Sequence, residues 1–207
     1  MEKEAEAIYF LDLSQCEPAN ALSRSSRPKF WTMVNYEIEQ GQGVMLFANS
    51  LTDSPSVTLK LNVTGWYGIY LGIYYGWGAG FLADRVLRAK LTGDPAYSRI
   101  GRESFQPRKD GHYPEKELKW SDIAEAFWKC ADLTGEAIQF ARPTQGKFAE
   151  SDTNIAYVKL VPLTQAEIEE IKRDSGQATH PPTDRKLRWR KYRAVGIEQP
   201  GRHKRGI

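Results

Sequence analysis

Trp66-Tyr67-Gly68-Ile69-Tyr70-Leu71-Gly72-Ile73-Tyr74-Tyr75-Gly76-Trp77 is the stretch whose reading decides the fold class. Apart from Leu71 and the glycines, every residue in it is aromatic or β-branched, the composition of a pleated, half-buried strand. Successive side chains of a strand point to opposite faces. Tyr67, Ile69, Leu71, Ile73 and Tyr75 therefore share one face, which suits a core. Trp66, Gly68, Tyr70, Gly72 and Tyr74 share the other, where rings alternate with glycine and stand over gaps.

The flanking segments read the same way. Just upstream, Val57-Thr58-Leu59-Lys60-Leu61-Asn62-Val63 places apolar residues on odd positions and polar ones on even positions, the alternation of a strand with one buried face. Further back, residues 31–39 and 44–48 are extended stretches around Gly41-Gln42-Gly43, which predicts a hairpin. Residues 8–13 read as an opening strand and residues 23–29 as a loop.

Downstream, residues 85–92 read as a strand ended by Gly93-Asp94-Pro95, a turn signal. Residues 98–122 carry Pro107, Gly111 and Pro114 and read as a long loop. Residues 124–131 and 137–141 read as strands across a Leu133-Thr134-Gly135 turn, and residues 155–163 as the last strand. Residues 165–173 then form one short helix, with Thr164 as N-cap and Glu167 completing a capping box. Many short strands with turns between them predict an all-β fold, a jelly-roll β-sandwich with one short C-terminal helix.

Charge divides the chain. Of 29 Lys and Arg and 26 Asp and Glu, eleven and three lie from Lys172 onward, so the tail carries +8 and the body −5. The expected organisation is a sandwich domain over residues 1–171 and a basic tail or truncated linker over 172–207, expected to be disordered. No run of 18 apolar residues occurs, so no membrane span is expected. The acidic start, Met1-Glu2-Lys3-Glu4-Ala5-Glu6, is unlike a basic secretory leader, and a cytoplasmic location is expected. Cys16 and Cys130 are too few for a disulfide framework, and Cys130 reads as a small buried residue.

A resemblance adds to this reading. It is carried by the stretch from Leu61 through Gly65-Trp66-Tyr67 to Leu71-Gly72, and by Leu91-Thr92-Gly93-Asp94. Phe127-Trp128-Lys129-Cys130-Ala131-Asp132-Leu133-Thr134-Gly135 and Ala156-Tyr157-Val158-Lys159-Leu160-Val161-Pro162-Leu163 continue it. In this order they resemble the N-terminal β-sandwich of a family of large uncharacterised bacterial proteins that look like glycoside hydrolases. The resemblance implies a galactose-binding-like jelly roll, non-catalytic and associated with carbohydrate. It also implies a partner barrel domain that would carry any hydrolase chemistry, so no catalytic residue carries over. The tail departs from the pattern: residues 183–187 read as a linker into such a barrel, or the segment after them as the product of a lost reading frame.

The candidate ligand-binding residues are Trp66, Tyr70, Tyr74 and Trp77, since flat aromatic faces suit the C–H faces of sugar rings and Tyr and Trp add a polar handle. The competing reading is that these rings are core. Asp94, Asp132 and Asp152 sit at or beside turns and read as turn formers rather than as Ca²⁺ ligands. His112, His180 and His203 lack partners at zinc spacing, so no metal or other cofactor is expected. Glu37 with Glu39 and Glu167 with Glu170 are the nominal carboxylate pairs, and a strand face and a helix surface explain them. Trp189 and Tyr192 interleave with Arg188, Arg190, Lys191 and Arg193 in a pattern that could bind nucleic acid, but no RRM, KH or OB signature surrounds it.

Overall fold

The computed structural model describes residues 7–25, 29–38, 41–48, 53–74, 86–100, 123–143, 152–173 and 188–191. In chain order the strands are β1 (Ala7–Leu11), β2 (Leu22–Ser23), β3 (Trp31–Ile38), β4 (Gly41–Ala48), β5 (Val57–Lys60), β6 (Trp66–Tyr74) and β7 (Leu87–Leu91). They continue as β8 (Ser98–Ile100), β9 (Ile123–Asp132), β10 (Ala137–Ala141), β11 (Thr153–Ile155), β12 (Tyr157–Pro162) and β13 (Arg188–Lys191). A single α-helix among the described residues, α1 (Gln165–Arg173), follows β12.

The strands form three sheets, ordered β13-β1-β12-β6-β9, β5-β10-β7-β8 and β11-β4-β3-β2. Pairing is antiparallel except for β13 on β1 and β2 on β3. The fold is therefore all-β and sandwich-like with one short helix, and a third sheet is added to the two layers expected. The decisive stretch lies inside the first sheet, with β12 and β9 as its neighbours. Of its core face, Tyr75 lies outside the described residues and Tyr67 is half-buried, while Ile69 and Leu71 are fully buried and Ile73 nearly so. They join one apolar cluster with Val57, Ala89 and Phe140 of the second sheet and Trp31, Leu46 and Ile155 of the third.

Three differences from the expected elements have physical causes. The run 155–163 is not one strand, because it serves two sheets. β11 pairs with β4 and β12 with β6, and Ala156 turns the corner, its N–H donating to the Gly72 carbonyl at 2.7 Å. Strands that switch sheets at a bend are a common way to close such corners. β2, β8 and β11 have two or three residues each, too few to display alternation in a sequence. In the basic tail, Arg188–Lys191 departs from the expected disorder by pairing parallel with residues 7–10. The edge of β1 presents unpaired backbone groups, and backbone pairing needs no side-chain pattern.

The helix begins as read. Thr164 N–H donates to Glu167 Oε2 at 2.7 Å and Glu167 N–H to Thr164 Oγ1 at 3.3 Å, both halves of a capping box. The helix runs to Arg173, so the division at 171/172 falls inside its last turn. No helix among the described residues is long and apolar enough to cross a membrane.

Candidate functional site

The outer face of β6 carries Trp66, Tyr70 and Tyr74, all half-buried. They lie four residues apart, roughly 13 Å per step along an extended strand, and each has its own neighbourhood. Trp66 packs beside Cys130, Leu163 and Ile171, where α1 leans on the sheet. Lys172 Nζ stands 5.6 Å from the centre of its ring. Tyr70 meets Phe127 edge-on at 5.3 Å and lies under Lys159 Nζ at 4.4 Å. Tyr74 packs against Tyr36, Met45 and Ala156. Trp77 lies outside the described residues.

The glycine between Tyr70 and Tyr74 holds space for a ring from the neighbouring strand. A Cβ on Gly72 would lie 2.4 Å from the ring of Tyr157, its direct cross-strand partner. The Tyr157 hydroxyl donates to Glu125 Oε2 at 2.8 Å, and Lys159 pairs with the other carboxylate oxygen. Burial, and then the negative charge of Glu125, push the Tyr157 phenol well above its ordinary range. It stays a neutral donor.

Of the candidate residues, Trp66 lines a cavity formed by described residues. A groove of about 880 Å³ lies at one side of the molecule, where β9 edges the first sheet and β8 edges the second. Trp66, Phe127 and Trp128 line it, together with the turn from Gly93 to Ala96, Tyr97 and Arg99. A β-bulge shapes the aromatic part of this lining. Ile69 pairs with Lys129 and Tyr70 with Phe127, which leaves Trp128 as the extra residue of β9. The bulge lets Phe127 and Cys130, three residues apart, pack in one cluster. The Trp128 indole N–H is buried and has no hydrogen-bond partner among the described residues.

Polar groups cross and rim the groove. Lys129 Nζ contacts both oxygens of Asp94 at 2.6 Å and so ties the two sheet edges together. Asp94 also accepts the Leu91 N–H at 2.8 Å and returns its own N–H to the Leu91 carbonyl, making it the turn former expected. Asp132 accepts both the N–H and the hydroxyl of Thr134, at 3.0 and 2.7 Å. Those two bonds hold its carboxyl below the usual carboxylate range. Gly65, at φ +95°, passes its N–H to Thr134 Oγ1 and takes the Leu133 N–H on its carbonyl. The start of β6 is thereby latched to the β9–β10 turn.

The two thiols lie away from any reactive environment. Burial, with a smaller push from Asp12, raises Cys16 to about 12, and burial, with a smaller push from Glu167, raises Cys130 to about 11. Thiols held this high are inert packing groups. Among the described residues no group of three His, Cys, Asp or Glu is assembled for a metal.

The sequence pointed to Trp66 but not to its companions in the groove. Phe127 and Trp128 are consecutive bulky rings inside a strand, a break in alternation that marks a bulge. No family model matches the chain, and no curated protein matches it.

Proposed function

We propose that this protein is a non-catalytic, carbohydrate-associated module of galactose-binding-like jelly-roll type, and that it holds sugar in the groove at the β8 and β9 edges. One observation carries the reading. Trp66, Phe127 and Trp128 line the groove together with carboxylate, ammonium and hydroxyl groups. Sugar rings present flat C–H faces bordered by hydroxyls, and an aromatic wall with a polar rim serves both. The action is positioning rather than bond cleavage, and the resemblance in the sequence points the same way. Under the same resemblance, the groove could instead seat a partner barrel domain.

The test is retention of the full chain on a panel of immobilised glycans, repeated with Trp66→Ala and Trp128→Ala. Circular dichroism is recorded to check that each variant keeps its β spectrum. Binding that falls about tenfold or more in both variants supports the reading, a loss of about 1.4 kcal/mol or more. Retention of no glycan by the unaltered chain, with self-association relieved by the same substitutions, favours the domain-packing alternative.

A further inference from the structure

We propose that the outward face of the second sheet extends this groove into a site for acidic polysaccharide, one bearing carboxylate or sulfate groups. The proposal rests on the carbohydrate reading above and adds the charge of the ligand to it.

The face is defined by β7. Leu87, Ala89 and Leu91 point into the core, so Arg88 and Lys90 point outward. Arg88 is directly opposite Arg99 of β8. The Arg88 guanidinium carbon and Lys90 Nζ lie 5.0 and 5.3 Å from the centre of the Tyr97 ring. Neither Arg88 nor Lys90 has a carboxylate partner among the described residues. Their neighbours across β10, Ala141 and Gln139, are uncharged. This concentration of cations stands on a body whose net charge is −5.

Two residues join the patch to the groove. Tyr97 and Arg99 line the groove, and Tyr97 also carries the two cations. The Tyr97 hydroxyl lies 3.3 Å from Gln139 Oε1 and 3.4 Å from Ser56 Oγ, which sets the ring in place. A chain lying along the groove would therefore pass from the aromatic wall onto guanidinium and ammonium groups. Arginine takes carboxylate and sulfate by paired, charge-assisted hydrogen bonds.

Nucleic acid fits this arrangement less well. It carries a negative charge at every nucleotide, about 3.4 Å apart along each strand. The groove itself is lined by Asp94, Asp132 and Glu136. A polysaccharide can place uncharged ring faces there and its acid groups on the patch.

The experiment measures binding of the full chain to polygalacturonate and to dextran sulfate. Each is set against its uncharged counterpart, fully methyl-esterified polygalacturonate or dextran, and against polyuridylate. The expected result is tighter binding to one or both acidic polymers, weakening as salt rises from about 0.1 to 1 M and the screening length falls from roughly 10 to 3 Å. The polymer that binds tells carboxylate from sulfate recognition. The double variant Arg88→Gln/Lys90→Gln should lose about tenfold or more on the acidic polymer, the scale of one charge-assisted contact. Arg99→Gln, on an exposed position, is the second variant should the first lose its fold. Binding unchanged in both variants would assign the charge effect to the basic tail and overturn the proposal. Equal or tighter binding of polyuridylate would also overturn it. Binding of the uncharged polymers as tight as the acidic ones would overturn it while leaving the carbohydrate reading in place.

Discussion

The two faces of β6 come from one stretch of sequence and meet different surroundings. On the inner face, Ile69, Leu71 and Ile73 are 0, 0 and 3% exposed and belong to one apolar cluster shared by all three sheets. On the outer face, Trp66, Tyr70 and Tyr74 are half-buried among three separate sets of neighbours. The inner face contributes bulk hydrophobic burial, which grows with area and does not depend on direction. The outer face uses a ring-edge contact, cations over rings and one glycine-sized recess, each of which depends on one particular partner. A change on the inner face should therefore be felt by the whole domain, and a change on the outer face locally.

The largest effect tests that contrast directly. Leu71→Ala should cost about 2–5 kcal/mol in urea unfolding, the usual range for a fully buried leucine. Its outward neighbour Tyr70→Ala should cost about 1–2 kcal/mol, from the loss of one ring pair and one cation–π contact. Equal costs would break the comparison. Next in size is Gly72→Ala, whose new methyl would meet the Tyr157 ring at 2.4 Å. Overpacking of this kind costs about 1–3 kcal/mol. The double variant Gly72→Ala/Tyr157→Ala should cost less than the two single changes added together, as touching residues do. Strict additivity would show that Tyr157 is not what fills the recess.

The legibility of the sequence follows the same divide. Alternation identified the core residues of β6 because the strand period is fixed by backbone geometry. The capping box at Thr164 and Glu167 was legible because both partners lie within four residues of each other. The corner at Ala156 was not, because the run through residues 155–163 looks the same whether it serves one sheet or two. In the candidate site, Trp66 was nominated for its face, while Asp94, Lys129 and Trp128 join it through contacts 30 or more residues apart and a single extra residue in β9. Local pattern carries no record of such contacts.

A smaller effect sharpens the outer-face side. Thr164→Ala removes the side-chain half of the cap and should cost about 1 kcal/mol. Because α1 packs beside Trp66, the same variant should also shift tryptophan emission toward the red. A stability loss with no spectral change would mean that the helix frays without uncovering the ring.

The smallest effect concerns pH and the latch beside the groove. Asp132 has a folded-state pKa lowered chiefly by its bonds from Thr134. Its contribution to stability is therefore full above the ordinary carboxylate value near 3.9 and is lost as pH falls through the lower folded value. The buried thiols act in the opposite direction. With folded values raised to about 12 for Cys16 and about 11 for Cys130, their contribution is full below the unfolded value near 9 and is lost as pH rises through the folded ones. Melting temperature against pH should thus show a plateau with an acid and an alkaline flank. Asp132→Asn keeps an acceptor for Thr134 but removes the titrating charge, so it should flatten the acid flank and leave the alkaline one unchanged. An acid flank of unaltered slope would mean that the turn at Asp132, although it holds the start of β6 beside the groove, does not contribute to acid sensitivity.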